Sequence, residues 1–229
     1  MAHPVISALS SLTAIVKARS NVLTAAEYCS QMRSTNFEQR ALIKHCIARI
    51  QDPSLPPVQL FFTGPAGSGK TFVLKLLMET YNRFSQSHDL HRNVYVATAS
   101  TGKAAVAIGG TTVHSAFSIN TMQRRGGLSF EARQSYYNAF AHVRLIVIDE
   151  VSMIGAGVFH TINERLKQIS YSHDASFGGY DIIFSGDLRQ LPPVGTNPIY
   201  TPLTKGLYRS ILWQSLSYYP LHEVSLQPC

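Results

Sequence analysis

Lys70 and Thr71 close the stretch GPAGSGKT, residues 64–71, and their spacing from Gly64 is that of a phosphate-binding loop. In the pattern GxxxxGK[ST] the glycines let backbone N–H groups turn inward. The lysine reaches the β- and γ-phosphates of a nucleotide, and the hydroxyl binds Mg²⁺. Gly64, Pro65, Ala66, Gly67, Ser68 and Gly69 are therefore a candidate nucleotide cradle, with Lys70 and Thr71 at its mouth. The bland alternative is a glycine-rich turn between a strand and a helix. Asp149 and Glu150 end the run LIVIDE. Beside a nucleotide, the first acid would hold Mg²⁺ and the second would orient or deprotonate an attacking water. Without a nucleotide they are solvated acids at a strand end. Asp187, Arg189 and Gln190 follow the run DIIFSG, where an amide could contact a γ-phosphate. The alternative there is a proline turn with Arg189 merely solvated. Thr98, Ser100, Thr101, Gly102 and Lys103 make a small, polar, basic turn that could hold the phosphates of a single strand. His114, in TTVHSAF, is of the kind that packs or caps, with a ligand contact as the alternative.

These groups need a scaffold that brings them together. Four apolar runs read as buried strands, over 58–63, 93–98, 143–149 and 180–186. Helical patterns separate them, over 70–84, 103–108, roughly 129–141 and 156–169. Alternating strands and helices imply a parallel sheet with helices on both faces. Right-handed crossovers then place every strand's C-terminal end on one edge, where such sheets bind ligands. Upstream, Thr35 with Glu38 suggests a capping box for the helix QRALIKHCIARI, and residues 5–33 look helical but poorly specified.

Length and composition set bounds. A chain of 229 residues makes one large domain or two small ones, and 45% hydrophobic content supplies a core. The net charge of +7 favours a polyanionic partner without choosing among DNA, RNA and membrane. Cys29, Cys46 and Cys229 show neither a disulfide framework nor metal-ligand spacing, which suits a reducing compartment. No apolar run is long enough to span a bilayer. The first 26 residues carry Lys17 and Arg19, several serines and no acid. They read as an ordinary leading helix, with a mitochondrial transit peptide as the alternative. Arg124, Arg125 and Arg133 beside Tyr136 and Tyr137 suit a solvated amphipathic helix or a nucleic-acid contact.

Taken together, the stretches resemble the Pif-type (petite integration frequency) DNA helicases of superfamily one, relatives of RecD, and most of all the Pif-like helicases of Helitron-type transposons. GPAGSGKT resembles helicase motif I, and ASTGKAAVAIGGTTVHSAF motif Ia with its continuation. IDEVSMI is similar to motif II, FGGYDIIFSGDLRQLPPV to motif III, and TNFEQ, residues 35–39, to the Q motif. The resemblance covers the chain from about residue 34 to its end. It implies an α/β fold: a RecA-like P-loop NTPase three-layer sandwich with a mainly parallel sheet, the first motor domain only. Residues 1–34 would be an N-terminal helical extension and 35–229 the motor domain. It implies ATP hydrolysis coupled to 5′-to-3′ movement along single-stranded DNA or at a single/double-strand junction. Replication, recombination, repair, telomere maintenance or transposition would be the setting, and the nucleus, or else the mitochondrion, the compartment. By the same resemblance Lys70 and Thr71 bind ATP–Mg²⁺, Asp149 and Glu150 serve metal and water, and Gln190 senses the γ-phosphate. Gln39 contacts adenine, while Thr101, Gly102, Lys103 and His114 touch DNA.

Two departures qualify that expectation. After Gln190 there is no room for a second RecA-like domain, which in the family supplies an arginine to the γ-phosphate. The ending LHEVSLQPC resembles a stretch that closes in Arg-Gln, yet reads Leu226–Gln227. Leu226 replaces neither the charge nor the hydrogen bonds of arginine. The expectation is ATP–Mg²⁺ binding with poor hydrolysis and no unwinding by this chain alone. The competing readings are a non-catalytic nucleotide- or DNA-binding module that needs a partner in trans, and another P-loop enzyme such as a small-molecule kinase. The GDLRQLPP and TGKAA turns argue against the kinase, because a small acceptor needs neither.

Overall fold

A computed structural model describes residues 15–20, 22–85, 92–119, 127–202 and 212–222. Six strands form one parallel sheet: β1 (Gln59–Thr63), β2 (Tyr95–Ala99), β3 (Thr111–Thr112), β4 (Leu145–Asp149), β5 (Asp181–Gly186) and β6 (Ser217–Pro220). Their order is β3-β2-β4-β5-β1-β6, and every pairing is parallel. The four strands expected from apolar runs are all present. Two edge strands, β3 and β6, join them.

Alternation along each strand builds two cores, one per face. In β4, Ile146 and Ile148 pack on one side, while Leu145 and Val147 pack on the other. All five residues of β4 are buried, which is why the strand reads as a continuous apolar run rather than an alternating one. The first face is covered by α5 (Val113–Ala116), α6 (Phe130–Phe140) and α7 (Ala156–Ser170). The second is covered by α1 (Ala25–Ser34), α2 (Phe37–Gln51), α3 (Lys70–Phe84) and α4 (Gly102–Ala107). This is the three-layer α/β sandwich expected.

Two local expectations are corrected. The capping box of α2 is Asn36 with Gln39, one residue later than Thr35 with Glu38. Asn36 Oδ1 accepts from the Gln39 amide at 2.8 Å, and Gln39 Oε1 accepts from the Asn36 amide. Thr35 is buried and donates to the Met32 carbonyl instead. The proposed helix over residues 5–33 is also shorter. Among the described residues it runs only from Ala25 to Ser34, capped by Thr24 and Glu27. Residues 15–20 are irregular, and Ile15 and Val16 join the core. Residues 1–14 lie outside the described set, as do Arg124, Arg125, Leu226 and Gln227.

Candidate active site

With every strand parallel, Thr63, Ala99, Asp149 and Gly186 end on the same edge. The register confirms it: Ala99 lies opposite Asp149, and Thr63 opposite Gly186. The residues that follow these ends form the site.

The loop after β1 turns through two left-handed glycines, Gly67 (φ 82°) and Gly69 (φ 80°). A side chain at Gly69 would be strained and would also come within 2.7 Å of Gln39 Nε2. The loop is braced from both ends. Gln39 donates from Nε2 to the Ser68 carbonyl at 3.2 Å. The Leu221 amide donates to the Thr63 carbonyl at 2.7 Å, and a Cβ on Gly64 would meet the Leu221 carbonyl at 2.8 Å. Gln39 is thus buried beneath the loop, with Oε1 engaged by Asn36. The Ser68 hydroxyl is buried with no partner among the described residues.

Lys70 opens α3 and folds back, donating from Nζ to the carbonyls of Gly64 (2.7 Å) and Pro65 (3.0 Å). An ammonium held by two neutral carbonyls keeps its charge available to an anion. Thr71, exposed, is the next residue of the helix.

Three acids at the neighbouring strand ends feel that ammonium's charge. Asp149 is 5% exposed, and its Oδ1 accepts from the Glu150 amide at 2.9 Å. Burial pushes its carboxyl above the ordinary range, against the opposing pull of the Glu150 amide, the Ser185 hydroxyl and Lys70. Glu150 sits in the left-handed region at φ 53°, ψ 47°, a conformation that costs a non-glycine residue about 1 kcal/mol. Its carboxyl is pushed up by burial, then by Asp149 and Asp187, and is drawn down by Lys70. Burial raises the Asp187 carboxyl too, but the Arg189 side chain and amide outweigh it and hold that group below its usual value. Arg189 Nε lies 3.1 Å from Asp187 Oδ1. Lys70 acts electrostatically on all three acids. The sequence marks Asp187 as following a strand. Its burial beside Lys70 is visible only when β5 is seen lying next to β1.

The donor set suits Mg²⁺. No cluster of three or more metal-ligating residues exists among the described residues, and Mg²⁺ is usually held by one or two carboxylates plus substrate phosphates. Asp149 is a buried carboxylate at the strand end, of the oxygen-donor kind that Mg²⁺ takes, and burial is what raises its carboxyl.

The remaining candidates divide. The Ser100 amide donates to the Asp149 carbonyl at 3.2 Å, so the turn after β2 is tied to the acidic strand end. Thr101 Oγ1 accepts from the Ala104 amide and caps α4, leaving Gly102 and Lys103 exposed. Gln190 is exposed in the turn closed by its own amide on the Asp187 carbonyl, 2.9 Å away. His114 is half-buried on α5, and its carbonyl accepts from the Ile119 amide. Tyr136 belongs to the core, its hydroxyl bonded to the Ala116 carbonyl at 3.0 Å. Tyr137 is exposed and packs edge-on against Tyr171.

A family model described as PIF1-like helicase matches residues 34–227. The chain belongs to the PIF1-like helicase family. The human ATP-dependent DNA helicase PIF1 is 36% identical over 143 residues, which are 61% of this chain and 21% of the human protein. The crystal structure of Bacteroides Pif1 bound to single-stranded DNA superposes with a TM-score of 0.60 at 25% identity, over 82% of this chain and 42% of that one. Bacteroides sp. Pif1 in complex with ADP–AlF4 gives 0.59 at 27% identity, over 84% and 43%. The fold is therefore the RecA-like P-loop fold of PIF1-like helicases. The chain spans about a fifth of the curated relative's length and about two fifths of the solved ones.

Proposed function

We propose that this chain is an ATP-binding motor domain of a 5′-to-3′ DNA helicase. The observation that carries the proposal is the convergence of Lys70, Asp149, Glu150 and Asp187 at one sheet edge, beside a loop whose geometry requires glycine. Backbone N–H groups of residues 66–71 cradle the phosphates, and Lys70 exchanges its two carbonyl partners for phosphate oxygens. Thr71 and Asp149 would hold Mg²⁺, which when bound neutralises phosphate charge. Glu150, whose carboxyl burial raises above its ordinary value, takes a proton from the attacking water. Gln190 reads the γ-phosphate from the turn after Asp187. Gln39 braces the loop and reaches adenine with its remaining amide N–H. Thr101, Gly102, Lys103 and His114 line a single-stranded DNA path, and relatives named for DNA unwinding support that partner.

Turnover by this chain alone is expected to be slow. Arg189, 75% exposed, forms only a surface pair with Asp187, and the family resemblance implies a further cation at the γ-phosphate from a second motor domain or a partner. Such cations contribute roughly 10³–10⁵ in rate. The processes served would be genome maintenance or transposition, in the nucleus or mitochondrion. A second reading is a binding module without turnover, which keeps the same nucleotide loop and differs only in hydrolysis. Steady-state ATP hydrolysis with and without single-stranded DNA, beside Lys70→Ala, separates the readings. DNA-stimulated turnover lost in the variant establishes the motor. Equal background rates in both proteins leave the binding module.

A further inference from the structure

The described chain ends on a short edge strand that is fastened to the nucleotide loop by contacts no phosphate-loop pattern contains. β6 pairs along β1, from Leu60 opposite Ser217 to Thr63 opposite Pro220. The next two residues tie the strand to the start of the loop and to the start of α2. Leu221 bonds through its amide to the Thr63 carbonyl at 2.7 Å, directly before the loop begins. His222 reaches across to the start of α2. Its amide donates to Glu38 Oε2 at 2.6 Å, and its Nδ1 lies 2.7 Å from Glu38 Oε1. Glu38 precedes Gln39, the residue whose amide nitrogen holds the Ser68 carbonyl near the loop's far end. A second contact runs along the same seam, where the Tyr219 hydroxyl meets His45 Nδ1 at 2.8 Å.

We propose that Glu38 and His222 are positioning residues for the nucleotide: their pairing locks the first turn of α2 against the end of β6 and thereby holds Gln39 under the phosphate loop. The inference rests on the reading that this loop binds ATP. The physical logic is one of pre-organisation. A loop held in its binding geometry before ligand arrives loses less freedom on binding. Glu38 sits in the first turn of α2, the turn whose end carries Gln39. Release of its carboxylate from His222 removes the link between that turn and the end of β6, leaving Gln39 held by the Asn36 box and by its own bond to Ser68. Both Glu38 oxygens are engaged by His222, one through the backbone and one through the ring, so the contact fixes direction as well as distance.

The test is the affinity of a fluorescent ATP analogue with Mg²⁺, read by anisotropy on the full chain, for wild type, Lys70→Ala, His222→Ala, His222→Asn and Glu38→Ala. Loss of a net hydrogen bond worth about 1 kcal/mol predicts roughly 5-fold weaker binding for His222→Ala. Glu38→Ala loses both bonds and is expected to weaken binding by about 10-fold or more. His222→Asn keeps a donor near the Nδ1 position and should return within about 2-fold of wild type. A merely structural role would leave Asn as impaired as Ala. Wild-type affinity in both His222→Ala and Glu38→Ala, with Lys70→Ala impaired, overturns the positioning role and leaves the ATP reading intact. No binding by wild type, or equal binding by Lys70→Ala, overturns both. Should Glu38→Ala fail to fold, the His222 pair decides alone.

Discussion

At the scale of single residues, the site is an exercise in charge placement. Asp149 is an acid buried at a strand end, and burial alone raises its carboxyl. The sign follows from proton linkage. A native-state pKa above the unfolded value means the folded chain binds more protons in the window between the two, so stability falls as pH rises through it. Asp149→Asn removes that penalty and keeps an oxygen for the Glu150 amide. The nucleotide-free variant should therefore melt higher than wild type, by about 2–4 °C for each kcal/mol relieved. Its advantage should widen as pH rises from acid toward neutral. Mg²⁺ binding has the opposite sign, because it needs the ionised carboxylate. The Mg²⁺-dependent part of ATP-analogue affinity should fall in wild type at a pH above the ~3.9 of an ordinary aspartate, and be weaker and without that pH step in Asp149→Asn. A variant that retains the full Mg²⁺ effect removes Asp149 from the metal role, and one that melts no higher shows that its burial carries no penalty. The pair Asp149–Glu150 was legible in the sequence as acids ending a buried run. The left-handed turn at Glu150 was not, since nothing in DEVSM requires it. Gln39 was singled out through the Q-motif resemblance alone, and its grip on Ser68 depends on the helix start, which the Thr35–Glu38 spacing misplaces by one residue.

At the scale of elements, legibility tracked burial. β1, β2, β4 and β5 are flanked by other strands and covered by helices, so their sequences carry long apolar runs. β3 has two residues, Thr111 and Thr112, and β6 reads Ser217-Tyr-Tyr-Pro220 with its first half exposed. Neither carries a period long enough to read, yet β6 positions the phosphate loop. The opposite edge shows how the elements are anchored. Asp181 begins β5, and its Oδ1 accepts from the Val58 amide at 2.8 Å and from Arg49 Nε at 3.4 Å, while Oδ2 accepts from the Tyr81 hydroxyl at 3.0 Å. One carboxylate thus ties the starts of β1 and β5 to α2 and α3. Asp181→Ala strands a buried hydroxyl, an amide and a part-buried guanidinium, and is expected to cost about 3 kcal/mol. Urea titration checks it through a lower midpoint at unchanged slope. A loss under about 1 kcal/mol would show that the cluster contributes little. Nucleotide affinity under folding conditions should stay within about 2-fold of wild type, because Asp181 lies at the far end of the sheet from Lys70.

At the scale of the whole molecule, the net charge of +7 and the strand-edge site combine into one expectation about DNA. Lys103 is exposed on the first turn of α4, and the turn before it is bonded through the Ser100 amide to the Asp149 carbonyl. In the proposed reading the same strand end would face nucleotide on one side and DNA on the other. Single-strand affinity should fall with salt, and Lys103→Ala should reduce the log–log slope by about 0.7–1, the share of one phosphate contact. Lys70→Ala, whose ammonium belongs to the nucleotide loop, should leave that slope unchanged. Because the two sites share the Ser100–Asp149 bond, an ATP analogue with Mg²⁺ should shift DNA affinity in wild type. DNA should shift analogue affinity by the same factor, as linkage demands. Lys103→Ala should keep a nucleotide-dependent shift on weaker DNA binding, whereas Asp149→Asn should abolish the shift and spare the slope. An unchanged slope in Lys103→Ala would remove the turn after β2 from the DNA path. Equal DNA affinity with and without nucleotide in wild type would show that the shared hydrogen bond transmits nothing between the two sites.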